Sequence, residues 1–355
     1  MRPLDPTAPR RVLVRATNWV GDAVMTLPAL EALARVCPQA ELTVLAKPWV
    51  APVYAAAPCR PKVMFLDAKG IHKGFGGRLR LAKELGSMGF DWSVLLQNAF
   101  EAGFIVWLAG IPARMGYASD GRGFLLTHAV KRGPAVRRVH ETSYYLHMLH
   151  GAGLLDREPP PQGVRPEVEL PAENEKWADE FLTANGLQGA RLLGLAPGAA
   201  FGPAKCWPAE RFASAAHELV EDGYDAVLLF GSPGEADTTA EIAAQFNTAK
   251  VLDLAGRTDL GQALALLKRL SMFLTNDSGL MHAAAALGAP TVAVFGSTNP
   301  VTTSPLGPKV ALVRREVECS PCLKPECPRG DLICFADITS QEVAEAARGL
   351  VGATA

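Results

Sequence analysis

Four stretches of the sequence set polar or charged side chains among small residues, each directly after a short apolar run. In ATNWVGDAVMTLPAL (16–30), Gly21 allows a tight turn and Asp22 opens a helix. A carboxylate there could accept a proton from a substrate hydroxyl. Aspartate is equally at home at a helix start as a cap. In APGAAFGPAKCWP (196–208), small side chains around Gly198 and Ala199 let backbone amides approach a phosphate. Lys205 adds a point charge suited to a diphosphate. A loop lysine can also be merely solvated.

In TNDSGLMHAAAALG (275–288), a strand runs through Asn276 and Asp277 into Ser278, Gly279 and a helix rich in alanine. The free amides and dipole of such a helix start attract anions. His282, one turn in, could touch a phosphate or sugar or could simply pack. In FGSPGEAD (230–237), Glu235 could bind ribose hydroxyls, as acidic residues do in other nucleotide folds, or decorate a helix start. Neither GxGxxG nor GxxxxGK[ST] occurs at these turns, which disfavours a nicotinamide oxidoreductase and a Walker-type nucleotidase. Cys319, Cys322, Cys327 and Cys334 cluster near the C-terminus, where a structural metal, a disulfide or a plain structural loop are all open. No His/Glu constellation marks a catalytic metal.

The elements that must position these residues alternate. Strands are expected at 12–16, 42–46, 63–67 and 92–97, then at 192–197, 226–231, 251–256, 272–277 and 291–296. Each is short, apolar and rich in β-branched residues or leucine, with helical segments between. Such alternation implies parallel sheets with right-handed crossovers. Between the two series, DREPPPQGVRPEVELPAENE (156–175) reads as a linker. The expected organisation is α/β: two Rossmann-like doubly wound domains, at 1–160 and 161–338, with a cleft between them. A C-terminal helix covers 339–355, its start marked by Thr339 and Glu342 at capping-box spacing. Ligands in such sheets bind beyond the carboxyl ends of the strands, where the four stretches fall.

A length of 355 residues agrees with two domains, and 49% apolar against 20% charged residues is a globular balance. The sequence offers neither a secretory signal nor a clean apolar run of spanning length, so a cytoplasmic location is expected. The net charge of −1 hides an asymmetry: residues 1–150 carry 19 Lys+Arg against 10 Asp+Glu, and the remainder 16 against 26. A basic first half suits an anionic partner such as a phosphorylated lipid, a membrane surface or nucleic acid, or helps the halves dock.

Taken together and in order, NWVGDAVMTLPAL, PGAAFGPAKCWP, LLFGSPGE, LAGRTDL and TNDSGLMHAAAALGAPTVAVFGST resemble the family 9 glycosyltransferases, the heptosyltransferases of lipopolysaccharide assembly. The resemblance spans nearly the whole chain. It implies the GT-B fold, with an acceptor-binding N-terminal domain and a donor-binding C-terminal domain. It implies inverting, metal-independent transfer of a heptose from ADP-heptose, with no cofactor. The form Phe201-Gly202-Pro203-Ala204-Lys205 points within the family to members whose acceptor, heptosyl-Kdo2-lipid A, already carries one heptose. A member with a different acceptor, or a two-lobed binding module without turnover, are the alternatives.

By motif matching, the resemblance makes Asp22 the catalytic base and Lys205 the cation at the leaving diphosphate. Gly198, Ala199, Glu235, Asp277, Ser278, Gly279 and His282 join Lys205 in holding the donor. Asn18, Lys69, Lys73, Arg78, Arg137 and Arg138, with Arg80, Lys131 and Arg132, are candidates for the acceptor side. The implied partners are a lipid A-linked acceptor and the cytoplasmic face of the inner membrane, with no nucleic acid. The cysteines recur in many relatives but not all, which speaks against a catalytic part.

Overall fold

The computed structural model of the chain describes residues 4–246 and 250–352, and these fall into two compact units that divide between Glu169 and Leu170. The first unit runs β1 (Arg11–Arg15), α1 (Val20–Val36), β2 (Glu41–Ala46), α2 (Ala51–Ala55), β3 (Lys62–Phe65) and α3 (Gly74–Ser87). It continues with β4 (Trp92–Leu95), α4 (Phe100–Leu108), β5 (Ala113–Tyr117), β6 (His128–Val130) and α5 (Glu141–Gly151). Its six strands lie in the order β3-β2-β1-β4-β5-β6, each observed pair parallel. The central strands are buried on both faces, which is why they read as unbroken apolar runs.

The second unit repeats the plan. It holds α6 (Ala172–Ala184), β7 (Leu192–Ala196), α7 (Ala209–Glu221), β8 (Ala226–Leu229), α8 (Ala236–Ala243), β9 (Lys250–Asp253) and α9 (Leu260–Leu267). Then come β10 (Met272–Asn276), α10 (Gly279–Leu287), β11 (Thr291–Phe295), α11 (Pro300–Thr303), β12 (Val310–Arg314), α12 (Ile333–Ala336) and α13 (Ser340–Gly352). The sheet order is β12-β11-β10-β7-β8-β9, so each unit's first strand is central and the order reverses beside it. That reversal opens a crevice beyond the strand ends, the place where doubly wound sheets bind ligands. Among the described residues, no helix is long and apolar enough to cross a membrane.

The expected strands appear within a few residues of their predicted bounds, and three further ones join them: β5, β6 and β12. ARMGY carries a charge within it and HAV is only three residues long, while VALVR is an apolar run at the sheet edge. The proline-rich segment read as a linker is partly bound to the first unit. Pro161 O accepts from His140 N at 2.9 Å, and Val164 N donates to Thr142 Oγ1 at 2.9 Å. Prolines cannot donate, but their carbonyls satisfy the start of α5. The C-terminal helix packs on α7 and β12 within the second unit, and Thr339 and Glu342 form the reciprocal cap.

Alanines 283–286 on α10 are buried and bring that helix close to the sheet. The loop before β12 then lies on the backbone of α10: a methyl group on Gly307 would sit 2.4 Å from Ala285 O. Backbone cannot yield as a side chain can. Gly307→Ala is therefore expected to destabilise the chain by about 1–3 kcal/mol, read as a lower Tm in calorimetry. An unchanged Tm would show that the loop gives way freely.

Candidate functional site

In the second unit the candidate donor residues do converge on the strand ends. The loop after β7 closes in a 3-10 turn over Pro203–Lys205. Lys205 Nζ donates to Asp277 Oδ2 at 2.7 Å, and both side chains are largely buried. The same oxygen accepts from Thr298 Oγ1 at 2.6 Å, beyond β11. The ammonium also lies 5.1 Å from the centroid of the Phe201 ring. Lysine carries three donors and Asp277 takes one, so the rest of the head remains competent to meet an anion.

Asn276 secures the frame. Its Oδ1 accepts from Trp207 N at 3.0 Å and its Nδ2 donates to Pro197 O at 2.5 Å, which staples β10 to both ends of the lysine loop. Ser278 is the N-cap of α10, its Oγ accepting from Met281 N at 3.3 Å, and Gly279 opens the helix. His282 is buried within α10. Gly198 and Glu235 meet: a methyl group on Gly198 would fall 1.8 Å from Glu235 Oε1. Only glycine leaves room for that carboxylate. Its other oxygen accepts from Ser232 N at 2.6 Å, so the capping role weighed for Glu235 is also real. Ala199 sits in the turn between Gly198 and Phe201.

The cysteine segment braces this loop. Pro325 O accepts from Ala204 N at 3.0 Å, and Leu323 N donates to Ser297 O at 2.8 Å. All seven cysteines are free thiols, and the four clustered ones line one small hollow. Backbone amides, Leu332 first, hold the Cys327 thiol below its usual range, while burial pushes Cys334 up to about 11. Among the described residues, no group of three or more His, Cys, Asp or Glu is arranged to hold a metal ion.

In the first unit, Asp22 lies in the first turn of α1, which packs against α5. Glu141, the first residue of α5, is the carboxylate that sequence reasoning passed over; in HET it looks like an ordinary helix start. Burial, then the nearby charge of Asp22, pushes Glu141 up to about 7, with Arg132 opposing. The Arg132 guanidinium lies 5.4 Å from the centroid of Tyr144, and its buried Nε has no hydrogen-bond partner. Tyr144 OH accepts from Asn98 Nδ2 at 2.9 Å.

The other acceptor-side candidates scatter. Asn18 and Lys69 meet at Trp49, whose Nε1 donates to Asn18 O at 2.9 Å and whose ring lies 6.0 Å from Lys69 Nζ. Asn18 Oδ1 accepts from the buried Arg15 at 3.3 Å. Arg78 is engaged by Glu101 at 2.8 Å. Lys73, Arg137 and Arg138 are exposed.

Two doubly wound units, with a lysine and a helix start meeting at the switch point of the second, match the GT-B-like architecture of solved glycosyltransferases. The family model for glycosyltransferase family 9 (heptosyltransferase) matches residues 78–333, and the chain belongs to that family. It is 32% identical to lipopolysaccharide heptosyltransferase 2 of Escherichia coli K12, over 96% of this chain and 98% of that protein. It superposes on the solved structure of the E. coli ADP-heptose lipopolysaccharide heptosyltransferase II with a TM-score of 0.81 at 28% identity, covering 97% of this chain and all of that one. A family 9 glycosyltransferase from Veillonella parvula gives a TM-score of 0.83 at 25% identity, covering 99% of this chain and all of that one.

The elevated Glu141 has a thermodynamic consequence. Below pH 4.5 the group is protonated in both folded and unfolded chains, and it costs nothing. From there to about 7 the unfolded chain ionises first, so stability is lost as pH rises. Glu141→Gln removes this loss. The variant is expected to be more stable than the parent by about 1–3 kcal/mol at pH 8 and to show a much smaller gain at pH 4.5. Melting curves at the two pH values check it; an equal gain at both would contradict the assignment.

Proposed function

We propose that the chain transfers L-glycero-D-manno-heptose from ADP-heptose to heptosyl-Kdo2-lipid A in lipopolysaccharide inner-core assembly. The observation that supports this reading is the Lys205–Asp277–Thr298 constellation beside the α10 N-terminus, a buried ammonium and a helix start at adjacent strand ends. Family membership and the name borne by the E. coli relative supply the sugar.

Asp22 takes the proton of the acceptor hydroxyl as its oxygen attacks the anomeric carbon. The bond to the ADP oxygen breaks on the opposite face, so the anomeric configuration inverts. Lys205, the amides near Gly198 and Ala199, and the start of α10 offset the charge that grows on the departing diphosphate. Fixed cations and amides of this kind can do the work of a divalent ion, and the reaction is read as metal-independent. Glu235, which lies against Gly198, takes the nucleoside in this reading. The basic first half suits the carboxylates and phosphates of the acceptor, and Arg132, whose charge acts on Glu141 against that of Asp22, is among the candidate cations. The enzyme then works as a peripheral protein at the inner membrane's cytoplasmic face.

The test is a transfer assay with ADP-heptose and acceptors bearing no, one or two heptoses, with chelator present. Turnover is expected with the one-heptose acceptor and to survive chelation. Asp22→Asn is expected to lower kcat by about 10²–10⁴-fold with donor binding kept. Near-normal turnover in that variant would remove Asp22 from the mechanism, and preference for another acceptor would reassign the substrate.

A further inference from the structure

Exposed aromatic residues are unevenly shared. Among the described residues, seven of the eight belong to the first unit: Trp19, Trp49, Phe65, Phe75, Phe100, Trp107 and Phe124. Several are joined. Phe124 lies 6.3 Å from Phe100, Phe100 stacks on Phe104 at 6.2 Å, and Phe104 lies 6.0 Å from Trp107. This strip follows α4 at positions 100, 104 and 107, with Leu108 exposed beside it. Side chains spaced three and four apart share one helix face.

Helix α3 lies alongside, tied to α4 by the ion pair between Arg78 and Glu101. It too shows solvent an apolar row, Phe75 and Leu79, which ends in Lys83 one turn later. Phe124 is 78% exposed, Phe75 64% and Trp107 47%. Side chains of this size would normally be buried, and a contiguous exposed patch of them marks an interaction surface.

Charge decides the partner. From residue 69 to 83 the chain carries Lys69, Lys73, Arg78, Arg80 and Lys83 and no acidic residue. The carboxylates on these two helices are engaged, Glu84 with His72 at 3.1 Å and Glu101 with Arg78. The apolar strip is therefore edged with positive charge. A second copy docking through the same face would set those cations against themselves. An anionic bilayer accepts both parts: aromatic rings settle at the headgroup level, and lysine and arginine meet the lipid phosphates.

We propose that the α3–α4 face, with Phe124, is the surface by which this chain sits on an anionic phospholipid membrane. This names the surface for the peripheral association in the functional reading above and rests on that reading for its purpose. The face presents its rings to the interface without crossing the bilayer, and binding is reversible.

The test is co-sedimentation of the full chain with vesicles of phosphatidylglycerol and phosphatidylethanolamine, against vesicles of phosphatidylcholine alone. The parent is expected to bind the anionic vesicles, to release as salt rises, and to bind neutral vesicles weakly. The triple variant F100S/W107S/F124S is expected to lose on the order of tenfold in partition, with its Tm and its turnover of a deacylated, water-soluble acceptor unchanged. Parent protein that ignores anionic vesicles, or a triple variant that binds them as well as the parent, would overturn the assignment. So would a parent dimer that the triple variant dissolves into monomers without change in vesicle binding. Absence of any heptosyl transfer by the parent would defeat the functional reading instead, and the vesicle comparison would still decide the surface.

Discussion

The arrangement of strand ends in the second unit depends on one buried ion pair. Lys205 comes from the loop after β7, Asp277 from the end of β10, and Thr298, which shares the carboxylate oxygen, from beyond β11. The pair thus couples three adjacent strand ends at the point where the strand order reverses. Removing one partner from such a pair leaves a charge uncompensated, which costs more than the intact pair contributes. What the pair provides is placement: an ammonium held at a fixed site, with donors left over for an anion. Asn276 and the cysteine segment serve the same end by fixing the two ends of the lysine loop.

The first unit uses burial rather than pairing. Asp22 and Glu141 open two packed helices, and the burial that raises Glu141 to about 7 makes its negative charge beside Asp22 only partial near neutral pH. The same helix starts offer amides and dipoles, so one fold device, the N-terminus at a strand's carboxyl end, serves both units with opposite chemistry. In the second it lies beside the Lys205 ammonium, and in the first it carries carboxylates of its own.

The sequence made much of this legible for physical reasons. Strands buried on both faces are apolar, so most central ones could be read directly, whereas β5 carries Arg114 within it and β6 is only three residues long, and the apolar run of β12 was passed over. Lys205, Asp277, Ser278 and Gly198 stood out because small residues surround them at strand ends. Glu141 did not, because its significance lies in what packs over it rather than in its neighbours along the chain. Arg78 looked like a free cation, and only the packing of α3 beside α4 revealed Glu101 as its partner. The exposed rings of α4 carry no signal of their exposure in the sequence, because only the packing of the unit decides which face meets solvent.

The most direct measurement is calorimetric titration of the chain and of Lys205→Met with ADP and, separately, with adenosine. If the buried pair holds the diphosphate anchor, the substitution weakens ADP binding by about tenfold or more and leaves adenosine binding as it was. ADP affinity unchanged by the loss of Lys205, or equal losses for both ligands, would contradict the account.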